Sequence, residues 1–277
     1  MLRDSICGFV IAALLSVALA GANAFDESKY PSWKGQWTRI GGAGSYDPTK
    51  PPGPPQEPPL TAEYRAIWEA NIAEGRAGGQ YYNPPVRCIP HGMPRMMMAF
   101  EPMEIIIVPD VTYIYMSLYS GFRRIYTDGR VFPKDDVPSF AGYSIGKWTD
   151  ADGDGRYDVL EVETRNLNGP RLFDSSGIPL HKDNMTVIRE RIFQDKNDPN
   201  ILRDEITTID NALTKPWVIT RSYSKAVEPL WVETTCGENN NYLFIEGQTY
   251  LIGADGKLMP SRRGQQPPDT RHFEAPK

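Results

Sequence analysis

Between Glu104 and Ile252 the chain breaks into ten short runs of strand-forming residues, and the short links between them decide the fold class. The runs are 104–108, 111–119, 121–127, 143–149, 156–164, 185–193, 201–209, 216–224, 230–236 and 242–252. Turn signals separate them, among them Pro109-Asp110, Asp128-Gly129, Asn168-Gly169-Pro170, Ser176-Gly177 and Asn197-Asp198-Pro199. Short links favour antiparallel pairing, because a parallel pair needs a crossover of about a dozen residues or more. A sheet of that many strands curls or splits. The sequence therefore predicts a mainly β protein, an antiparallel β-barrel, with a β-sandwich as the alternative. The 25 prolines, 24 glycines and 14 tyrosines point the same way, towards short strands and tight turns.

One helix is expected, over 61–75. Thr61 can cap it, and Tyr64, Ile67, Trp68 and Ile72 fall on one stripe. Gly75 and the pair Gly78-Gly79 should end it. Before it, residues 50–59 read KPPGPPQEPP, which suits polyproline II and excludes helix or central strand. Residues 25–59 are thus expected to form an extended proline-rich arm, 60–260 a single β domain, and 261–277 an extended tail.

The first 24 residues read as a cleavable signal peptide. Arg3 supplies the basic start and Ile6 to Leu19 the apolar run. Ala22-Asn23-Ala24 supplies the small-residue cleavage site. The run is shorter than the roughly 20 residues a spanning helix needs. A periplasmic or secreted protein, not inserted in a membrane, is the expectation. Removal of the signal takes Cys7 with it and leaves Cys88 and Cys236, which in an oxidising compartment should pair as one disulfide. The net charge is −5, from 30 basic and 35 acidic residues, with no basic concentration to follow a phosphate backbone. Nucleic acid is excluded as a partner on that ground.

The sharpest motif is Asp-rich. Asp150, Asp152, Asp154, Arg156 (through its carbonyl), Asp158 and Glu161 stand at the ligand positions of a twelve-residue calcium loop, with Gly155 at the reversal. Calcium is a hard cation that wants oxygens, and alternate carboxylates in a tight bend converge on one point. The flanks read as strands, so the loop belongs at the tip of a β-hairpin and not in an EF-hand. There Glu161 lies well down the strand, which leaves Asp158 as the safer fourth side chain. A solvated acidic turn is the other reading.

Strand alternation names charges that share a face with apolar residues. Glu190 sits with Ile188 and Ile192, Arg124 with Phe122 and Tyr126, and Arg221 with Trp217, Ile219 and Tyr223. Inside a barrel such ions must pair, so Arg124, Glu190 and Arg221 are candidates to line a ligand pocket. The other possibility is that these faces are mixed and washed by solvent. Of the three histidines, His181, in a loop before a strand, is the best acid–base candidate, with Glu190 as the alternative. Met93, Met96, Met97 and Met98 cluster before the first strand and can fill core or line a pocket mouth.

Several stretches together resemble a family. They are Cys88-x-Pro90-x-Gly92-x-Pro94, residues 123–130, 142–148, 160–164, Glu190-Arg191, 213–217 and 236–240. In this order they are similar to a large group of secreted bacterial proteins without an assigned activity. The resemblance covers about residues 85–241 and implies export and a bacterial host. The Asp-rich loop stands outside the shared pattern. Two function classes follow from the residues. One is a barrel that binds a small, partly apolar ligand. The other is a lyase, isomerase or hydrolase using His181 or Glu190 in the same cavity.

Overall fold

The structure is a computed structural model that describes residues 25–42, 44–47, 50–51, 56–77, 82–99, 101–118, 121–135, 137–231, 234–239, 241–246 and 248–269. The expected signal peptide and Gly78-Gly79 lie outside these residues.

Nine strands close a barrel in sequence order. They are β1 (Gln36–Arg39), β2 (Met103–Val108), β3 (Val111–Met116), β4 (Gly121–Tyr126), β5 (Tyr143–Thr149), β6 (Val159–Arg165), β7 (Val187–Gln194), β8 (Ile201–Ile209) and β9 (Trp217–Lys225). Alternation along the central strands sets the core. Leu160, Ile188, Ile192, Leu202, Ile206 and Ile219 all point inward and are at most 3% exposed. Each such side chain contributes roughly 1.5–3 kcal/mol by leaving water.

The barrel is as expected, but one seam in it is parallel. Strands β4 and β5 pair only through Ile125 with Ser144 and Tyr126 with Ile145. Residues 127–142 make the connection, and that stretch is long enough for the chain to return and start β5 in the same direction as β4. At this seam Gly146 has to be glycine, because a Cβ there would lie 2.6 Å from Ile125 Cγ2.

The closing strand comes from the segment expected to be an extended arm. β1 pairs with β9 on one side and β2 on the other. Trp33, Trp37 and Tyr46 of this segment are buried. Their indole and phenol rings outweigh the poor strand propensity of the glycines and prolines around them.

In the run 230–236, the described residues 230–231 and 234–235 are not strand. Its end enters a single helical turn, Cys236–Asn239. The run 242–252 breaks at Glu246, whose φ is +49°. It becomes β10 (Tyr242–Ile245) and β11 (Gln248–Ile252), which with β12 (Leu258–Pro260) form a separate three-stranded sheet.

Helix α1 (Ala62–Arg76) starts where expected, with the Thr61 hydroxyl accepting the Tyr64 N–H at 3.4 Å. Its apolar stripe is only partly used. Tyr64 is buried, Trp68 donates its indole N–H to the Ser176 carbonyl at 3.1 Å, and Ile67 stays exposed. Backbone bonds from Thr61 to Ala212 and from Thr214 to Pro59 fasten its start to the barrel. Among the described residues no helix is long and apolar enough to cross a membrane.

Candidate functional site

The barrel interior holds ions, as alternation predicted for Glu190 and Arg221, but on β4 the inward face is the other one. Arg123 and Ile125 are buried, whereas Arg124 is exposed beside Phe122. The aromatic pair Phe122 and Tyr126 belongs to the outer surface, where Phe122 stacks on Tyr113 at 5.3 Å between centroids. Arg123 grips both oxygens of Glu190, one through Nη1 at 2.8 Å and the other through Nη2. Its Nη2 also donates to Thr164 Oγ1 at 2.8 Å and its Nε to Ser144 Oγ at 3.2 Å. Both side chains of the pair are 0% exposed. The Glu190 carboxylate is therefore buried and paired.

Asp204 lies in the same interior with no exposure, and among the described residues neither of its oxygens has a hydrogen-bond partner. Burial, reinforced by the charge on Glu190 and opposed by Arg123, holds its carboxyl well above the usual carboxylate range. Arg221 takes different partners. Its Nη1 donates to the Ser45 carbonyl, its guanidinium lies 4.9 Å from the Tyr46 ring centroid, and Asp174 is 4.0 Å away. Tyr46 in turn donates to Asp174 at 2.8 Å. Arg221 thus ties the 45–46 and 174 segments to the barrel wall.

His181 stands apart from Glu190. Its ring packs 5.1 Å from that of Tyr64 on α1, and its Nδ1 is 2.9 Å from an Asp183 carboxylate oxygen. Its backbone N–H donates to Asp210. The two acid–base candidates do not meet in one cavity.

The Asp-rich segment forms the tip of the β5–β6 hairpin, closed at its base by Thr149 opposite Val159. Oxygens of Asp150, Asp152 and Asp154 lie within 4.8 Å of one another. Backbone N–H groups already orient them: Gly153 and Gly155 donate to Asp150, and Arg156 donates to Asp154. Asp158 is turned to the loop base, where it accepts the Ala151 N–H at 2.8 Å. Glu161 sits down on β6, opposite Lys147 and Arg191.

What the residues did not announce is a cleft at the parallel seam. On the N-terminal side of the two bridged pairs, β4 and the segment leading into β5 part. Gly121 and Phe122 line one wall and Phe140 and Ala141 the other, around a volume of about 310 Å³. Met96, Ala99, Met116 and Leu118 form its apolar floor. A strap closes the remaining side, made of Cys88–Gly92 and Thr234–Cys236 and joined by the Cys88–Cys236 disulfide. The strap is seated tightly. The Met93 N–H donates to the Phe140 carbonyl at 2.9 Å. Gly92 has φ +62°, and a Cβ there would come 2.5 Å from the same carbonyl oxygen. The Thr234 hydroxyl donates to the Ser117 carbonyl at 3.0 Å. Burial, with the Arg95 charge adding to it, pushes the His91 imidazole in this wall down to about 3, so it is neutral at physiological pH.

A wider groove of about 900 Å³ crosses the outer face of β5–β8, but its charges neutralise one another. Arg189 pairs with Glu163 at 2.8 Å and Arg191 with Glu205 at 3.5 Å.

The sequence matches no family model, and no curated protein matches it.

Proposed function

We propose that the protein is an exported binding module that holds a small, largely apolar molecule in the seam cleft. The observation that carries this is the cleft itself. Its volume lies at the lower end of the range for small-molecule sites, its walls are methionine, phenylalanine and leucine, and a covalent strap closes it. A disulfide as a wall suits an oxidising compartment, which supports export together with the signal-like N-terminus.

N-Phenyl-1-naphthylamine, a neutral fluorophore, is expected to bind one to one, with Kd between about 1 and 100 μM. Thr235 lines the mouth and is exposed, so Thr235→Trp should block entry without disturbing the core. It is expected to weaken the probe at least about tenfold with an unchanged melting temperature. Enhanced fluorescence that is indifferent to Thr235→Trp, or no enhancement at all, would refute the assignment.

A second, structural role falls to the hairpin tip. The convergence of three aspartate oxygens favours a calcium ion there, completed by the Arg156 carbonyl and water. At 10 mM calcium, a Kd of about 10⁻⁴–10⁻³ M would stabilise the fold by about 1.4–2.7 kcal/mol. The expected result is a rise of several degrees in melting temperature that Asp152→Ala abolishes. Equal melting curves in calcium and in chelator would remove the ion from the proposal.

A further inference from the structure

We infer that the ligand of the seam cleft is an uncharged aromatic molecule of about two fused rings. The inference rests on the binding reading above and narrows it to a chemical class. Size comes first. An apolar protein cavity of about 150 Å³ accommodates benzene, and this cleft, at about 310 Å³, offers about twice that.

Charge comes second. Among the described residues none of the side chains lining the cleft is charged. Arg124, beside Phe122, is exposed on the outer surface, and two further cations near the cleft are held by other groups. Arg95 donates to Asn83 at 2.8 Å, and Arg123, two residues along β4 from Gly121, is held by Glu190. His91 stays neutral until about pH 3. A carboxylate or ammonium entering here would give up its hydration and find no counter-ion among the described residues that line the cleft.

The third argument is sulfur. The thioether residues Met96 and Met116 and the Cys88–Cys236 disulfide line the cleft together with Phe140. Polarisable sulfur contacts the edges of aromatic rings favourably, and rings tilt against rings. An aliphatic molecule of the same size makes neither contact. The exposed Thr235 hydroxyl on the strap can meet one ligand hydroxyl.

The test is displacement of N-phenyl-1-naphthylamine at pH 7 by three competitors of similar size: 2-naphthol, 2-naphthoate and decan-1-ol. 2-Naphthol is expected to displace the probe. 2-Naphthoate should be at least about thirtyfold weaker and decan-1-ol about tenfold weaker. Failure of 2-naphthol to compete, 2-naphthoate within threefold of it, or decan-1-ol equal to it would overturn the inference. If any of these occurs while the probe still binds and still responds to Thr235→Trp, only the ligand class falls. If the probe itself does not bind, the cleft is not a binding site and both readings fall.

Discussion

Replacing Glu190 by alanine is expected to lower the unfolding free energy by about 3–5 kcal/mol, read from urea denaturation with an unchanged m-value. The cost comes from the partner left behind. Arg123 is 0% exposed and would keep its hydrogen bonds to the hydroxyls of Ser144 and Thr164, with the protonation-prone Asp204 carboxyl as the acidic group that still feels its charge. A guanidinium has no neutral form to retreat to at any pH a protein survives. The double variant Arg123→Met/Glu190→Leu removes both ions and should recover most of the loss, because burying the pair costs about what its attraction returns. A loss under about 1 kcal/mol for Glu190→Ala would mean the pair behaves as a surface pair and is reached by water.

The unpartnered carboxyl of Asp204 adds a pH dependence to the same core. Its folded pKa is raised, so between the unfolded pKa and the folded one the native state binds more protons than the unfolded state. Stability contributed by this group is therefore greatest in acid and falls as pH rises through that window. Asp204→Asn has no proton to lose. It should match the parent at about pH 3.5 and surpass it increasingly towards pH 7, by at most about 1.4 kcal/mol per pH unit.

Much of this interior was legible in the sequence, for a physical reason. On β7 and β9 the inward positions are apolar on both sides of the ion, so a period of two singles out Glu190 and Arg221. Asp204 carried the same signal, between Leu202 and Ile206 on β8, and it is buried with them. On β4 the rule misled. Phe122 and Tyr126 look more like a core face than Gly121, Arg123 and Ile125, but aromatic residues also build outer stacks such as Phe122 on Tyr113. One residue of register exchanges Arg124 for Arg123, and with it the whole assignment.

The disulfide was readable by counting, and so was the hairpin under the Asp-rich loop. The seam and its cleft were not. They depend on the return path of residues 127–142 and on a strap assembled from segments far apart in the chain, and no local pattern encodes either. β1 was hidden for a related reason: a strand of four residues among prolines and glycines is specified by what Trp33 and Trp37 pack against, not by its own propensity.

Cys88→Ser with Cys236→Ser is the second change with a large expected effect, and it separates the strap from the barrel. The bond spans 148 residues of sequence with its Cα atoms 5.5 Å apart. Chain-entropy reasoning for so long a loop gives a loss of about 3–5 kcal/mol. The loss should not fall evenly. Strands β5–β9 are joined by ladders of six to eight residue pairs. The 234–236 wall of the cleft is tied by the disulfide, and the Thr234 hydroxyl donates to Ser117. Without the covalent link, hydrogen bonds of this kind, worth about 1 kcal/mol each, have to oppose the conformational entropy of the released segment. The cleft should therefore open below the temperature at which the barrel melts. Probe binding in the double variant is expected to vanish while far-ultraviolet circular dichroism still reports the sheet, and hydrogen exchange should accelerate at 234–236 before it does in β7 and β8. If probe affinity persisted until the barrel itself unfolded, the strap would be held by packing and the disulfide would not be what closes the cleft.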